Sequence, residues 1–297
     1  MKPNINNVFV SIIIPTYNRR ILLERAVLSV LKQKFQNFEI LIIDNFSNDG
    51  TKEMIKKLNS PKISFFSISN KGIIAKSRNL GIKKSKGKWI AFLDSDDFWF
   101  SNKLSYTLKN LKNCDAVFHD LNDGKIKNKK ENLNKKIIVK FDDIYSEKIK
   151  LPNSSAVVKK SVLLDVGLLN EKKNLAGAED HDLWLRLSLK KYRIIKFQKI
   201  LGNRGYDKNL NFTKTKVSII NNFEIIKIYK KILLLKDKYK LNSFKFYKLG
   251  VLLYEKKKLD DSLNFFLKTF FLKKNMLITI KSLFYIILIY FNKIKLI

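Results

Sequence analysis

Trp89-Ile90-Ala91-Phe92-Leu93-Asp94-Ser95-Asp96-Asp97 is the stretch on which the fold of this chain turns. Five consecutive apolar residues have the pattern of a strand buried on both faces, and they run directly into three acids within four positions. Carboxylates that close repel one another unless a cation sits among them. Capping and the helix dipole favour Asp at a helix start, which accounts for one or two of the three. The surplus points to a metal ion.

Working outward, residues 8–14 are another continuous apolar run, closed by Pro15. A helical stripe follows in Leu22, Leu23, Ala26, Val27, Val30 and Leu31. Residues 39–43 form a strand ending at Asp44, and Asp49 is placed to cap a helix over 51–58. A strand at 62–68 and a helix at 73–84 lead back to the strand at 89–93. Beyond it, Ser101 is expected to cap a helix through Leu111, and 116–119 reads as a fifth strand. Such alternation builds βαβ units, hence an α/β fold with a mostly parallel, Rossmann-like sheet flanked by helices. Residues 120–136 are polar and read as an excursion; strands at 137–141, 156–158 and 192–197 and a helix over 181–190 follow. From about Thr215 only helical patterns remain. The expected division is a sheet domain at 1–214 and an all-helical C-terminal region at 215–297. Within the latter, 246–272 reads as a helix hairpin, an ordinary helical cap and not a tetratricopeptide array, since one copy is too few.

Composition excludes several classes. With 297 residues, 45% of them hydrophobic, the chain can bury a sizeable core. The single Cys114 forbids an internal disulfide, and two His leave no Cys/His metal cluster, so a metal must be held by carboxylates. That chemistry suits Mg²⁺ or Mn²⁺. A net charge of +34 raises a basic, non-catalytic nucleic-acid- or membrane-binding protein as the alternative. Lysine is spread along the whole chain and not gathered in a stripe, so no nucleic-acid partner is expected. The charge still suits an anionic membrane surface. The N-terminal run behaves as a buried strand and not as a secretory signal. The apolar run 276–297 is interrupted by Lys281, Asn292, Lys293 and Lys295, and its longest clean stretch falls short of the ~20 residues that span a bilayer.

In open parallel sheets, ligands bind outside the carboxyl ends of the strands. Three polar clusters follow strands directly: Pro15-Thr16-Tyr17-Asn18, the Asp44–Thr51 turn, and Asp94-Ser95-Asp96-Asp97. They should face one crevice. Asp44 can accept from a nucleobase N–H or a ribose hydroxyl, although DNFSNDG is also dense in turn formers. Arg78 lies on the helix after Asn70-Lys71-Gly72; alone it reads as a surface arginine, near the crevice as a partner for phosphate or carboxylate. Glu179-Asp180 opens a helix and can offer a general base to an acceptor hydroxyl. His119 and His181 read as structural hydrogen-bonders, and Cys114 as a buried hydrophobe.

Five segments, in this order and spacing, resemble the family 2 glycosyltransferases with their nucleotide-binding A-type fold: SIIIPTYNR, IIDNFSNDGT, NKGIIAKSRNLGI, KGKWIAFLDSDDFW and AEDHDLWLRL. The resemblance implies that Pro15, Thr16, Tyr17, Asn18 and Asp44 hold the nucleoside, with Arg78, Asp94 and Ser95 near the ribose and diphosphate. It implies that Asp96, assisted by Asp94, ligates the Mn²⁺ or Mg²⁺. Asp180 matches the base of a single inverting displacement, and Glu179 contacts the acceptor. A nucleotide-diphosphate sugar is the implied donor, a UDP-sugar favoured despite Asp44-Asn45 where many members have two acids. The implied acceptor is a glycan or lipid-linked glycan of a bacterial surface polysaccharide, lipopolysaccharide or capsule. GNRGY at 202–206 departs from the Gln-x-x-Arg-Trp of polymerising members, which favours single addition. The implied place of work is the cytoplasm, peripherally at the inner face of the membrane through the C-terminal helices.

Overall fold

The computed structural model describes residues 9–122, 135–145, 148–205, 258–272 and 276–294, with scattered positions between 225 and 254. Val8, residues 123–134 of the polar excursion, Tyr206 of the GNRGY segment and most of 215–257 lie outside the described residues. The chain forms two compact units, Met1–Ile144 with Ile149–Phe212, and Tyr145–Lys148 with Thr213–Ile297.

The first unit opens with alternating strands and helices: β1 (Val10–Thr16), α1 (Arg20–Leu31), β2 (Phe38–Asp44), α2 (Thr51–Leu58), β3 (Ile63–Ser67), α3 (Ile74–Lys84) and β4 (Trp89–Phe92). Then come β5 (Phe98–Trp99), α4 (Lys103–Lys109), β6 (Ala116–Asn122), β7 (Lys136–Val139), α5 (Phe141–Tyr145), β8 (Val157–Lys159), α6 (Lys160–Asp165), α7 (Glu179–Leu189) and β9 (Ile194–Asn203). The sheet order is β3-β2-β1-β4-β8-β6-β9-β5, with β7 also on β9. Pairs β1–β2, β1–β4, β2–β3 and β6–β9 are parallel; β8, β5 and β7 pair antiparallel. The chain steps outward from β1 to β3 and then returns to place β4 on the other side of β1. That reversal is the switch point where a crevice opens at the carboxyl ends.

Continuous apolar runs make the central strands, as burial on both faces demands; every residue of β1 and of β4 is buried. Helix α1 lays Leu23, Ala26, Val27 and Val30 onto this sheet. Asp49 fastens two helix starts at once: Oδ2 accepts from the Arg20 N–H at 2.8 Å, and Oδ1 from the Thr51 N–H and hydroxyl at 3.2 and 2.6 Å. Burial opposes ionisation of Asp49, yet these hydrogen bonds hold its carboxyl below the usual range.

Several boundaries differ from expectation. Ser101 does not cap α4; that helix begins after Asn102 and has no side-chain cap. Residues 137–141 are not all strand, because the chain turns into α5 at Phe141. Strand β6 continues to Asn122 and β9 to Asn203, so Asp120–Asn122 belong to the sheet and not to the excursion. Helix α7 starts at Glu179, two residues earlier than expected, which puts Glu179 and Asp180 in its first turn.

In the second unit, α8 (Leu259–Leu272) packs on α9 (Met276–Ile294), with Phe266 stacked on Tyr285 at 4.7 Å between centroids. The Ser262 hydroxyl donates to the Gly250 carbonyl at 2.7 Å, and a Cβ on Gly250 would lie 2.7 Å from the Phe266 ring.

Helix α3 approaches β1 so closely that a Cβ on Gly81 would lie 2.5 Å from Ile13 Cγ2. Gly81→Ala should therefore destabilise the sheet unit by about 1–3 kcal/mol through overpacking. Urea unfolding that left the midpoint unchanged would refute this contact.

Candidate active site

Three loops leave the carboxyl ends of β1, β2 and β4, and Thr16 faces Asp44 in the β1–β2 register. The first two loops are laced together. The Asn18 N–H donates to Ser47 Oγ at 2.8 Å, the Asn48 N–H to Asn18 Oδ1 at 2.9 Å, and the Asn45 N–H to the Thr16 carbonyl at 3.0 Å. Asp44 accepts from the Ser47 N–H at 2.9 Å and from its hydroxyl at 2.5 Å, so its carboxylate also builds the turn. Pro15 is buried at the strand end and Asn18 is exposed with φ 47°. The Thr16 hydroxyl is buried without a partner among the described residues. Tyr17 and Phe46 project into solvent, 55% and 63% exposed. Phe46 has φ 57°, a left-handed conformation that costs a non-glycine residue about 1–2 kcal/mol.

Arg78 of α3 is not a surface residue. It is 4% exposed, and its Nη2 donates to Asp94 Oδ1 at 2.7 Å while Nη1 donates to Glu179 Oε1 at 2.6 Å. Burial disfavours its charge, but Asp94, Glu179 and Asp180 together raise its pKa. Asp94 feels the same contest: burial resists ionisation, and the Arg78 charge and hydrogen bond outweigh it, holding the carboxyl low.

Glu179 is fixed again by the Gly177 N–H, which donates to Oε2 at 2.5 Å from a backbone turned to φ 79°. Asp180, next in the first turn of α7, accepts from the His181 N–H at 2.7 Å. Burial and then the Glu179 charge push its carboxyl up to about 6, against the pull of Arg78. A carboxylate poised near neutrality can take a proton from a hydroxyl.

Asp96 pairs with Arg19 (Nη1 to Oδ2, 2.9 Å), and its carbonyl accepts from Arg25 Nη2 at 2.5 Å. Burial and Asp94 raise the Asp96 carboxyl in spite of Arg19. Ser95 and Asp97 are buried. Asp97 accepts from the Gly205 N–H at 2.9 Å, and burial followed by the Asp94 charge pushes it up to about 7. The same crossing explains Gly205, where a Cβ would lie 1.7 Å from the Asp96 carbonyl oxygen.

The three-residue turn Asn153–Ser155 supports the acids from behind. Ser154 Oγ accepts the Asp94 N–H at 3.0 Å, Asn153 Nδ2 reaches Asp94 Oδ1 at 3.4 Å, and Trp99 Nε1 donates to the Ser154 carbonyl at 2.7 Å. This turn, together with Arg19, Arg25 and Gly205, is the part of the site that the motifs did not single out.

His119 lies on β6. Its Nδ1 meets the Asp120 carbonyl at 2.8 Å, and burial followed by the Lys103 charge pushes it down to about 3. Lys103 is fully buried with its amine 3.6 Å from the Trp99 ring centroid, and burial lowers its pKa well below the usual value.

Comparison with known proteins places this geometry. The sequence profile of Glycosyl transferase family 2 matches residues 11–161. An uncharacterized glycosyltransferase of Rickettsia bellii is 46% identical over 110 residues, 37% of this chain and 16% of that protein. A UDP-Glc:alpha-D-GlcNAc-diphosphoundecaprenol beta-1,3-glucosyltransferase of Escherichia coli is 32% identical over 182 residues, 60% of this chain and 69% of that protein. The matched segments span only 16%, 32% and 30% of three similar Rickettsia proteins. Among solved structures, S. aureus TarS 1-349 in complex with UDP-GlcNAc superposes with a TM-score of 0.66 at 18% identity, covering 89% of this chain and 81% of TarS 1-349. The mannosyltransferase PcManGT of Pyrobaculum calidifontis, in complex with GDP-Man and Mn²⁺, gives a TM-score of 0.61 at 16% identity over 86% of this chain and 74% of its own. The fold is thus shared with TarS and PcManGT, and the family profile covers half the chain, from β1 past Asp94 and Asp96 to β8: this protein belongs to glycosyl transferase family 2.

Proposed function

We propose that the chain is an inverting, metal-assisted glycosyltransferase that moves a sugar from a UDP-sugar to a glycan or lipid-linked acceptor in bacterial surface polysaccharide synthesis. The supporting observation is the Asp94–Arg78–Glu179 chain of ion pairs, which ties the acids after β4 to the first turn of α7, where Asp180 lies. The Escherichia coli relative, a UDP-Glc enzyme of a diphosphoundecaprenol-linked sugar, supports the substrate class.

In this reading Thr16, Tyr17 and Asp44 bind the nucleoside, and the exposed Phe46 adds an aromatic face beside them. Arg78 and Ser95 line the diphosphate. Asp180 takes the proton of the acceptor hydroxyl, whose oxygen forms the new bond to the anomeric carbon as the bond to the diphosphate breaks. Glu179, held by Arg78 and Gly177, orients the acceptor.

The residues fit a hard divalent cation, Mn²⁺ or Mg²⁺. Asp94 and Asp96 give oxygen donors, each spends only one of them on an arginine, and their mutual repulsion favours a cation. Among the described residues no three His, Cys, Asp or Glu come together as a metal cage. Such a site suits an ion that draws its other ligands from substrate phosphates. When bound, the ion would neutralise charge on the leaving diphosphate.

The unit at 215–297 is proposed to meet the acceptor or the inner membrane face. Helix α9 buries Ile278, Ser282, Ile286 and Ile289 and exposes Met276, Ile280, Leu283, Phe284, Ile287 and Phe291 along another side. Among the described residues no helix is long and apolar enough to cross a membrane, so contact would lie in the interface plane.

Four outcomes are expected. Slow Mn²⁺-dependent release of UDP from one UDP-sugar should be abolished in Asp96→Ala; failure of every nucleotide sugar to bind, even with metal, would sink the proposal. Asp180→Asn should lower transfer about 10²–10⁴-fold without weakening UDP binding. Because the Asp180 carboxyl is raised, it is protonated and idle below about pH 6 and active above, so kcat/KM should fall as pH drops through that value. A profile flat from pH 8 to pH 5 would remove Asp180 from the role of base. Finally, Phe284→Glu with Phe291→Glu should cut binding to anionic vesicles at least about tenfold. Unchanged partitioning would show that α9 does not carry membrane contact.

A further inference from the structure

Each acid of the Asp94-Ser95-Asp96 run has its own arginine, and the two pairs are built differently. Arg78 is clamped between two carboxylates, with its side chain 5% exposed. Among the described residues Arg19 meets a single carboxylate, and its side chain is 24% exposed against 5% for Arg78. With one carboxylate and a partly exposed guanidinium, the Arg19 pair is the more easily exchanged of the two.

The surroundings confine movement to the side chains. The Arg19 carbonyl accepts the Leu23 N–H at 2.8 Å, which fixes its backbone at the start of α1. The Asp96 backbone is pinned by Arg25 on its carbonyl and by the crossing at Gly205. Arg19 also follows Thr16, Tyr17 and Asn18 directly and reaches Asp96 with its guanidinium, so it links the loop after β1 to the acidic loop.

Resting on the reading above, we infer that Arg19 holds the cation's place on Asp96 in the nucleotide-free protein and passes to the donor's diphosphate when cation and donor bind. The exchange replaces one positive charge on Asp96 by two, and the released guanidinium meets the two phosphates arriving with the cation. Free metal therefore binds poorly, because it must displace Arg19 without giving it a new anion. Nucleotide supplies that anion. Metal and nucleotide consequently bind cooperatively, each strengthening the other by the same factor.

The test is calorimetric titration of the full chain with Mn²⁺ alone, UDP alone and UDP with saturating Mn²⁺. In Arg19→Gln, Mn²⁺ alone should bind about fivefold tighter than in the wild type, and UDP with Mn²⁺ about fivefold weaker. In Asp96→Asn, which frees Arg19 without removing it, metal-free UDP should bind tighter. That gain should disappear in the Arg19→Gln/Asp96→Asn double variant, whereas mere relief of repulsion at Asp96 would leave it intact. If the wild type binds UDP with Mn²⁺ but Arg19→Gln takes up Mn²⁺ alone no better, Arg19 is a static surface pair and the inference falls. If the wild type binds UDP neither with nor without Mn²⁺, the proposed function falls and the inference with it.

Discussion

The site depends on one buried guanidinium. Moving a charge out of water into protein costs several kcal/mol unless it is closely paired, and Arg78 meets that cost with two carboxylates at 2.6 and 2.7 Å. Those carboxylates come from 16 and 101 residues away, one after a central strand and one in the first turn of α7. Remove the guanidinium and Asp94 and Glu179 would be left as like charges without their shared partner. With it in place, Glu179 is held at both oxygens, by Arg78 and by the Gly177 N–H, and Asp180 follows in the first turn of α7 with a carboxyl raised by burial and the Glu179 charge against the pull of Arg78. The same ion-pair chain thus shapes the surroundings of the carboxylate proposed as the base.

Around this clamp, the polar residues of the loops bond chiefly to each other. Asp44, Ser47, Asn18 and Asn48 satisfy one another between β1 and β2, and Asp49 anchors the starts of α1 and α2. Asp44 shows that a turn-forming role leaves room for the ligand-binding role proposed for it. Its bonds to Ser47 orient the carboxylate at the strand end, and a carboxylate has lone pairs beyond the two that Ser47 uses. Rigid loops on a rigid sheet are what allow groups far apart in sequence to hold positions within tenths of an ångström.

What was legible in the sequence was local. An apolar run followed by acids, repeated along the chain, encodes parallel strands with a polar crevice, and Thr51–Leu58 is a helix over the very residues its pattern marks. What was illegible was pairing across the fold. Nothing in the neighbours of Arg78 says that it is buried, because its partner Glu179 is 101 residues away. Arg19 was visible within PTYNR yet carried no signal, since an arginine opening a helix ordinarily faces water. The turn Asn153–Ser155 is made of small polar residues with no chemical signature, and its value lies in where Ser154 meets the Asp94 N–H. The antiparallel direction of β8 is likewise absent from a three-residue apolar pattern. Boundaries slipped where a side-chain cap was assumed, as at Ser101, and the chain instead began its helix uncapped.

Local and global charge act at different ranges in this protein. The net charge of +34 is spread over the chain, and in salt of about 0.15 M its field extends only about 8 Å from the surface. That suffices to draw an anionic sugar nucleotide, or an anionic lipid surface, toward the molecule. Inside the crevice charge is matched pair by pair, Arg78 with Asp94 and Glu179 and Arg19 with Asp96. Asp97 and Asp180 form no salt bridge among the described residues, and they accommodate the excess of acid by raised carboxyl pKa values of about 7 and about 6. Under the proposed function, a diphosphate drawn to the surface would meet these carboxylates and gain from a cation arriving with it. Long-range attraction combined with carboxylates at short range would then select for anions that arrive with a cation, a discrimination that a uniformly basic binding groove could not make.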